Sequence, residues 1–158
     1  KVKTINASYG QKDDEYDLEL ALEELCAKVE KSINEGINIV ILSDKNVNDK
    51  IIPIPSLLAL SSVHHFLIKK GIRSKVDLIV ESAEPREIHH FATLIGFGAS
   101  AINPYLVYES INKLKEGRKV RKVDWDESHY IYMDEEGYVN NMQVCLLDGG
   151  SADYEYKN

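Results

Sequence analysis

Residues 37–44 read INIVILSD, and this stretch decides the fold class. Its first six residues are largely apolar and β-branched, as expected of a parallel strand that is buried on both faces. The polar residues Ser43 and Asp44 close it. A second run, VDLIVES at residues 76–82, has the same composition and also ends in polar residues. The two runs predict two parallel strands whose carboxyl ends carry polar side chains.

A helix is predicted before the first of these strands. Apolar residues repeat at helical spacing from Leu18 to Ile33. Asp17 can cap the helix through its carboxylate, and Gly36 can end it. Further upstream, VKTINASY from Val2 predicts a short strand. The chain therefore opens with a strand, a helix and a strand.

Two more helices are predicted, one after each buried strand. The first has Pro55 in its first turn and Gly71 at its end. The second is opened by Pro85 and broken by Gly96 and Gly98. A GxG that follows a helix has the wrong polarity for a dinucleotide turn, so we interpret it as helix termination. The predicted core face of this second helix consists of four apolar residues at helical spacing: Ile88, Phe91, Ala92 and Ile95.

A short strand, SAINPY at residues 100–105, and a fourth helix from Tyr105 to Lys115 complete this part. Strand and helix thus alternate through residues 1–116, which implies parallel strands joined by right-handed crossovers. The predicted fold class is α/β, with parallel β/α units that resemble a partial or reduced (β/α) barrel.

The composition changes near Gly117, where we place a domain boundary. Residues 117–158 hold no helical period and form a predicted C-terminal extension. Within it, HYIYMDEEGYVNNMQVCLLDGG predicts a β-hairpin that turns near Glu136 and Gly137. The final residues, SADYEYKN, are expected to fray.

Composition limits the class of protein. The 158 residues suffice for one hydrophobic core, and the formal net charge of -7 disfavours nucleic acid, whose backbone requires a basic surface. No apolar run approaches about 18 residues, so no membrane span is expected. The two cysteines, Cys26 and Cys145, lack a metal-binding spacing, and a reducing, cytoplasmic compartment fits them best.

Two similar segments each carry a histidine pair, SSVHHFLIKKG at residues 61–71 and REIHHFATLIG at residues 86–96. Adjacent residues on a helix point in different directions, and a helical zinc pair needs the spacing i, i+4, so no metal site is predicted. His64 and His89 lie on the flank of the apolar face of their helices. We interpret them as packing and hydrogen-bonding residues, with a proton-transfer role as the open alternative.

Polar residues follow the predicted strands at their carboxyl ends, where parallel α/β folds bind ligands. The candidates are Ser43, Asp44, Glu81, Ser82, Glu84 and Asn103. Together they can line a site or a passage for a small polar molecule. The alternative is that they cap loops and helix N-termini. No catalytic constellation is evident, so no residue is predicted to be catalytic.

Three segments in fixed order carry a family resemblance: VILSDKNV at residues 40–47, IPSLLALSSVHHFLIKKGIR at residues 54–73, and LIVESAEPREIHHFATLIGFGASAINPYL at residues 78–106. Over residues 4–112 the chain resembles the central domain of the glutamate synthase large subunit. Each segment alone is a weak signal, but the ordered combination is highly specific. The tail after Lys115 departs from the family pattern, in which an FMN domain follows.

The resemblance implies a role in glutamate biosynthesis and ammonia assimilation. In the family, an amidotransferase domain takes ammonia from glutamine. A tunnel leads the ammonia to an FMN-containing barrel, which makes glutamate from 2-oxoglutarate with electrons that arrive through an iron–sulfur cluster. The full enzyme is an oxidoreductase that uses NADPH or ferredoxin. FMN and the iron–sulfur cluster are expected only there, and this chain is expected to bind no cofactor.

Three hypotheses about function follow. In the first, the chain is the central connector domain, non-catalytic itself, and its partners are the amidotransferase and FMN-binding domains, in cis or in trans. In the second, it is a stand-alone α/β module that binds a small amine or carboxylate at the end marked by Ser43, Glu81 and Asn103. In the third, it is a small enzyme that uses His64 or His89.

Overall fold

The computed structural model describes residues 1–10, 17–48, 50–119, 129–137, 139–147 and 150–156. The chain forms two compact units, Lys1–Tyr105 and Leu106–Asn158. The domain boundary predicted at Gly117 stays a prediction, because a compact unit and a family domain are different divisions of a chain. In the part of the chain that the structure describes, no helix is long and apolar enough to span a membrane.

Strands and helices alternate in the first unit. In chain order it contains β1 (Val2–Asn6), β2 (Ser8–Gly10), α1 (Leu18–Asn34), β3 (Ile39–Ser43), β4 (Ile51–Pro53), α2 (Ser56–Lys69), β5 (Asp77–Glu81), α3 (Ile88–Gly96) and β6 (Ala101–Asn103). Helix α4 (Tyr105–Lys115) starts at the last residue of that unit. The second unit then contains β7 (His129–Met133), β8 (Val139–Leu147) and β9 (Gly150–Tyr156).

Four parallel strands form the main sheet, in the spatial order β1-β3-β5-β6. Each of them pairs with the next strand of the series along the chain, as neighbours do in a (β/α) barrel. Among the described residues the sheet is open, with β1 and β6 at its edges. The predicted fold class, a partial barrel of parallel β/α units, is confirmed.

The hydrophobic core lies on one face of this sheet. Ile5, Leu42 and Val80 stand side by side in register and are almost completely buried. Helices α1, α2 and α3 contribute the following buried side chains to the same core: Leu25, Val29, Leu60, Val63, Leu67 and Leu94. Burying one aliphatic side chain of this size is worth about 1.5–3 kcal/mol, so this face holds the three helices to the sheet.

Helix α1 begins and ends where the sequence predicts. The Asp17 carboxylate accepts a hydrogen bond from a backbone N–H of the first turn at 2.9 Å, and Gly36 follows the helix with a φ of 82°. Helix α2 begins at Ser56, so Pro55 precedes the first turn instead of lying within it. The N-terminus of α2 is capped from outside the helix, because Glu84 accepts from the Ser56 N–H at 2.8 Å.

Two predictions about α3 are wrong. The helix begins at Ile88 rather than at Pro85, because Glu87 still has an extended backbone. Its predicted core face is also wrong, since Ile88 is 83% and Ile95 60% exposed, whereas Leu94 is buried. Helix α3 meets the core through Leu94, which lies about 100° around the helix from the predicted face.

Two smaller sheets are antiparallel. The pair of β2 and β4 is not predicted, because strands of three residues leave no periodic signal. In the second unit, β7, β8 and β9 form a three-stranded sheet. Its first hairpin confirms the predicted turn, in which Gly137 has a φ of 87° and donates to the Asp134 carbonyl at 3.0 Å. The expected fraying of the C-terminal residues is wrong as far as Tyr156, because they pair with β8 as strand β9.

Candidate functional site

A row of polar side chains lies at the carboxyl end of the main sheet. Asn6, Ser43, Glu81 and Asn103 stand in register on neighbouring strands. Because side chains alternate along a strand, all four belong to the sheet face opposite the core residues. Ser43 is buried, Glu81 and Asn103 are half-buried, and Asn6 is exposed. We call these four residues the polar row.

Glu81 is the centre of the polar row. One carboxylate oxygen, Oε2, accepts from Ser43 Oγ at 2.7 Å, and the other, Oε1, accepts from Asn103 Nδ2 at 2.9 Å. Lys45 Nζ approaches Oε1 to 3.1 Å and lies 4.9 Å from the centre of the Tyr105 ring. Through these charge-assisted contacts the carboxylate joins β3, β5, β6 and the loop that follows β3.

This environment keeps Glu81 ionised. The hydrogen bond from Ser43, assisted by Lys45 and Asn103, lowers the pKa of Glu81 from its ordinary value of 4.5, against the opposing effect of burial. Both oxygens already accept hydrogen bonds, so Glu81 is a poor proton acceptor at neutral pH. The geometry suits holding strand ends together and presenting fixed polar groups.

The other strand-end candidates lie elsewhere. Asp44 and Ser82 are buried, and Ser82 Oγ donates to Asp44 Oδ2 at 2.5 Å. Asp44 also accepts from the Ala83 N–H at 3.3 Å. Glu84 caps α2, because Ser56 donates to it through both its N–H and its Oγ. Such contacts are typical of loop and helix capping. The six candidates therefore form two groups: Ser43, Glu81 and Asn103 belong to the polar row, and Asp44, Ser82 and Glu84 belong to the capping contacts.

The cavity beside Glu81 on the core side of the sheet is very small. The cavity that Glu81 shares with Asp44 and Ser82 measures about 10 Å³. Such a volume is at the lower limit for one water molecule. This cavity therefore has no room for a ligand larger than one water molecule.

Two members of this arrangement, Lys45 and Asn6, are missed by the sequence-based prediction. Lys45 directly follows the predicted strand end, and Asn6 closes the first strand. Either position could have been noted as polar. Only the strand register, which brings Asn6 beside Ser43, and the ion pair between Lys45 and Glu81 show that they belong to one surface.

Replacing Glu81 with Gln tests the charge at the centre of the polar row. We expect Glu81→Gln to lower the free energy of unfolding at pH 7 by roughly 1–2 kcal/mol, since charged hydrogen bonds are worth more than neutral ones. The pKa of Glu81 is lower in the folded state, so its contribution is present above the ordinary value of 4.5 and is lost as pH falls through the folded-state pKa. Urea denaturation of the parent and of Glu81→Gln, from pH 7 down to pH 3, measures the free energy of unfolding of both.

The matched control for this change is Glu23→Gln, at an exposed position of α1. We expect the control to stay within about 0.5 kcal/mol of the parent at each pH. A stability difference between Glu81→Gln and the parent that stays constant from pH 7 down to pH 3 would contradict the role assigned to the ionised carboxylate.

His64 belongs to a second network, near the C-terminus of α2. Arg73 Nε donates to His64 Nδ1 at 2.9 Å, so this nitrogen carries no proton. The same guanidinium donates to the Val76 carbonyl at 2.6 Å and to the Gly98 carbonyl at 2.7 Å. Burial, together with the positive Arg73 and with His65, lowers the pKa of His64 from its ordinary value of 6.5. The stabilisation from neutral His64 is therefore present above that value and declines as pH falls below it.

The other histidines of the two pairs have different surroundings. The His65 ring is exposed, with its centre 5.4 Å from that of His64. His90 Nδ1 accepts from the Arg86 N–H at 3.1 Å, beside the N-terminus of α3. His89 is exposed. Of the two flank histidines, His64 thus has the partners that a packing role requires, whereas His89 lies in solvent, and a proton-transfer role stays untested for both.

The His64 network also explains one glycine of the GFGAS segment. Gly98 has a φ of 102°, and a Cβ at this position would overlap the imidazole ring of His64. We expect Gly98→Ala to destabilise the protein by about 2–5 kcal/mol, because it combines left-handed strain with overpacking. Gly96→Ala is the matched control, since a Cβ there meets open space and Gly96 ends a helix.

Urea denaturation of the two alanine variants checks this prediction. Gly96→Ala is expected to be neutral or stabilising by up to about 1 kcal/mol. The double variant His64→Ala/Gly98→Ala should recover part of the loss, since the clash is removed while the strain remains. Equal stabilities for Gly98→Ala and Gly96→Ala would disprove the close approach of His64.

An iron–sulfur cluster that is held by four cysteine thiolates would need more than the two cysteines of this chain. Cys26 is a buried free thiol in α1, and burial raises its pKa. Within the described ranges, no three His, Cys, Asp or Glu side chains are grouped as metal ligands. The backbone at Gly98 offers no open cradle for a phosphate, because His64 fills the space beside it.

Comparison with known proteins extends the family resemblance. A family model described as "Glutamate synthase central domain" matches residues 1–146. The match is longer than the segment of residues 4–112 on which the resemblance is seen, and it continues past Gly117. The expectation that the tail after Lys115 departs from the family pattern is therefore wrong as far as residue 146.

Individual relatives agree with the family model. The glutamate synthase [NADPH] large chain of Bacillus subtilis (strain 168) is 53% identical over 103 residues, which cover 65% of this chain and 7% of the relative. The glutamate synthase [NADH] of Schizosaccharomyces pombe is 39% identical over 114 residues, with coverages of 72% and 5%. The ferredoxin-dependent glutamate synthase of Pyropia yezoensis is 43% identical over 108 residues, with coverages of 67% and 7%. The chain thus spans 5–7% of the length of these three relatives.

Proposed function

Because this chain belongs to the glutamate synthase central domain family, we propose that it serves in glutamate synthesis as a connector between catalytic domains. The relatives are named as NADPH-, NADH- and ferredoxin-dependent glutamate synthases. The matched segment is a small part of each of them, which supports a domain that works together with the rest of a long chain. Amidotransfer and FMN-dependent reduction then belong to those other parts.

The observation that carries this proposal is the polar row on a sheet face that is partly exposed among the described residues. Thr4 and Ala101 are exposed on that face, and Ile41 and Ile79, which lie between them in register, are half-buried. Parallel sheets are normally covered on both faces, so this face is suited to packing against a neighbouring domain. The polar row then borders the space between domains, where its groups can hydrogen-bond to a small polar molecule such as ammonia.

The partners that we propose are an amidotransferase domain and an FMN-binding domain, in cis or in trans. The chain itself then supplies neither a catalytic residue nor a cofactor site. The lowered pKa of Glu81 supports this division, because a carboxylate that holds no proton at neutral pH and accepts three donors is poorly suited to acid–base catalysis. The free Cys26 thiol supports a reducing, cytoplasmic compartment.

The isolated chain gives the first test. We expect the purified chain to show no flavin absorbance and neither glutaminase nor glutamate synthase activity. Isothermal titration with glutamate, glutamine, 2-oxoglutarate and ammonium is expected to give no saturable heat, because the polar groups of Glu81 are already paired within the chain. Saturable heat that disappears in Glu81→Gln would favour the stand-alone binding module, and stoichiometric flavin would contradict the connector.

A chimera gives the second test. The matched segment of the Bacillus subtilis large chain is replaced by the matched residues of this chain. We expect the chimera to form glutamate from glutamine and 2-oxoglutarate with NADPH at a rate within about tenfold of the parent, which is an activation free energy within about 1.4 kcal/mol. A chimera that is folded, carries flavin and hydrolyses glutamine, yet forms no glutamate, would contradict a shared connector role.

The same chimera tests the polar row. The double variant Ser43→Ala/Glu81→Gln is expected to lower the amount of glutamate formed per glutamine hydrolysed, since ammonia that is not retained escapes to solvent. Glu23→Gln, at an exposed position of α1, is the control and should leave this ratio unchanged. An unchanged ratio in the double variant would be compatible with the connector function but would contradict a role of the polar row in the ammonia path.

A further inference from the structure

Helix α3 carries an apolar stripe that the fold leaves in water. Ile88 is 83% exposed and Ile95 60%, and Ala92 between them is exposed as well. At about 100° per residue, these three residues lie within about 60° of one another around the helix. We call them the α3 stripe. Single exposed apolar residues are ordinary, whereas three aligned on a helix of nine residues form a candidate interaction surface.

The α3 stripe faces away from α2. A cavity of about 380 Å³ separates the first turn of α2 from α3, and α3 lines it with His90, Thr93 and Leu94. His90 and Thr93 lie roughly opposite the stripe around the helix. Helix α3 therefore meets its neighbour through Leu94, with the exposed His90 and Thr93 beside it, and turns the apolar stripe toward solvent. A helix that borders solvent on one side normally turns its apolar face to the core and its polar face to water.

The shape of the stripe suits another helix. Ile88, Ala92 and Ile95 follow the spacing i, i+4, i+7, which is the spacing of contacts between packed helices. The small Ala92 leaves a notch between two branched side chains. A large aliphatic or aromatic side chain on a second helix can enter this notch, as a ridge enters a groove. Packing there would remove both isoleucines from water.

We propose that the α3 stripe docks an amphipathic helix from another domain of a glutamate synthase chain. The proposal rests on the connector function and names a surface through which the connector is attached. The chain spans only 5–7% of the length of the three relatives described above. In a protein of that kind, a domain of this size is accompanied by far more polypeptide than it contains. Ile88 and Ile95 are the most exposed large apolar side chains among the described residues, so we assign the packing of that polypeptide to them.

Amide hydrogen exchange tests the docking directly. The exchange of α3 is compared between the isolated chain and the Bacillus subtilis chimera described above. We expect exchange in the chimera to be slower by at least about tenfold, which corresponds to burial of roughly one aliphatic side chain. The variant Ile88→Asp/Ile95→Asp should restore fast exchange in the chimera, yet leave the isolated chain as stable as before, because both positions are exposed there. Ala27→Asp, at an exposed position of α1, is the control and should leave α3 exchange unchanged.

The outcomes separate this proposal from the connector function. Exchange is read on the folded chimera whether or not it forms glutamate, so an inactive chimera with a protected α3 stripe counts against the connector and supports docking. An active chimera whose α3 exchanges as fast as in the isolated chain overturns docking and leaves the connector in place. Protection of α3 in the isolated chain that grows with protein concentration and disappears in the Asp variant would assign the stripe to a second copy of the chain and overturn the proposal.

Discussion

The register of four parallel strands is the constraint on which the rest of this structure depends. It aligns Ser43, Glu81 and Asn103 across three neighbouring strands and so allows one carboxylate to accept from both flanking side chains. Ser82, one position further along, pairs with Asp44 in a buried contact. If the register slipped by one residue, the side chains of a strand would change faces, and Glu81 would lie in the apolar core. The hydrogen bonds of Glu81 are therefore a consequence of the register and also stabilise it.

Most of the first unit could be predicted because its burial is periodic in sequence. The strands around Val40 and Leu78 are buried, and their long apolar runs are visible without any structure. The strand ends were also predictable as the place where polar groups collect. What the sequence could not give is the face of the sheet to which each polar residue belongs. That assignment needs the last strand residue to be known without error, since adjacent residues point to opposite faces.

The two His-His-Phe segments show that a local sequence pattern does not predict the surroundings of a side chain. His64 and His89 occupy equivalent positions in two predicted helices, yet the first is held by Arg73 and the second is exposed. The difference arises from Arg73 and Gly98, which lie outside both pairs and reach His64 through the fold. The same holds for the apolar residues of helix α3. Its apolar residues are visible in sequence, but only tertiary packing decides that Leu94, rather than Ile88, meets the core.

The lowered pKa of Glu81 suits the proposed passage better than it suits acid–base catalysis. A general acid or base needs a pKa near the working pH, whereas the contacts of Glu81 move its pKa in the opposite direction. A lining for neutral ammonia has the reverse requirement, because a group that readily gives up a proton would convert ammonia to ammonium. Glu81 has no proton to give at neutral pH, and Lys45 balances its charge at 3.1 Å. In the proposed connector, the contacts that make Glu81 a poor base therefore also leave it without a proton to transfer to ammonia.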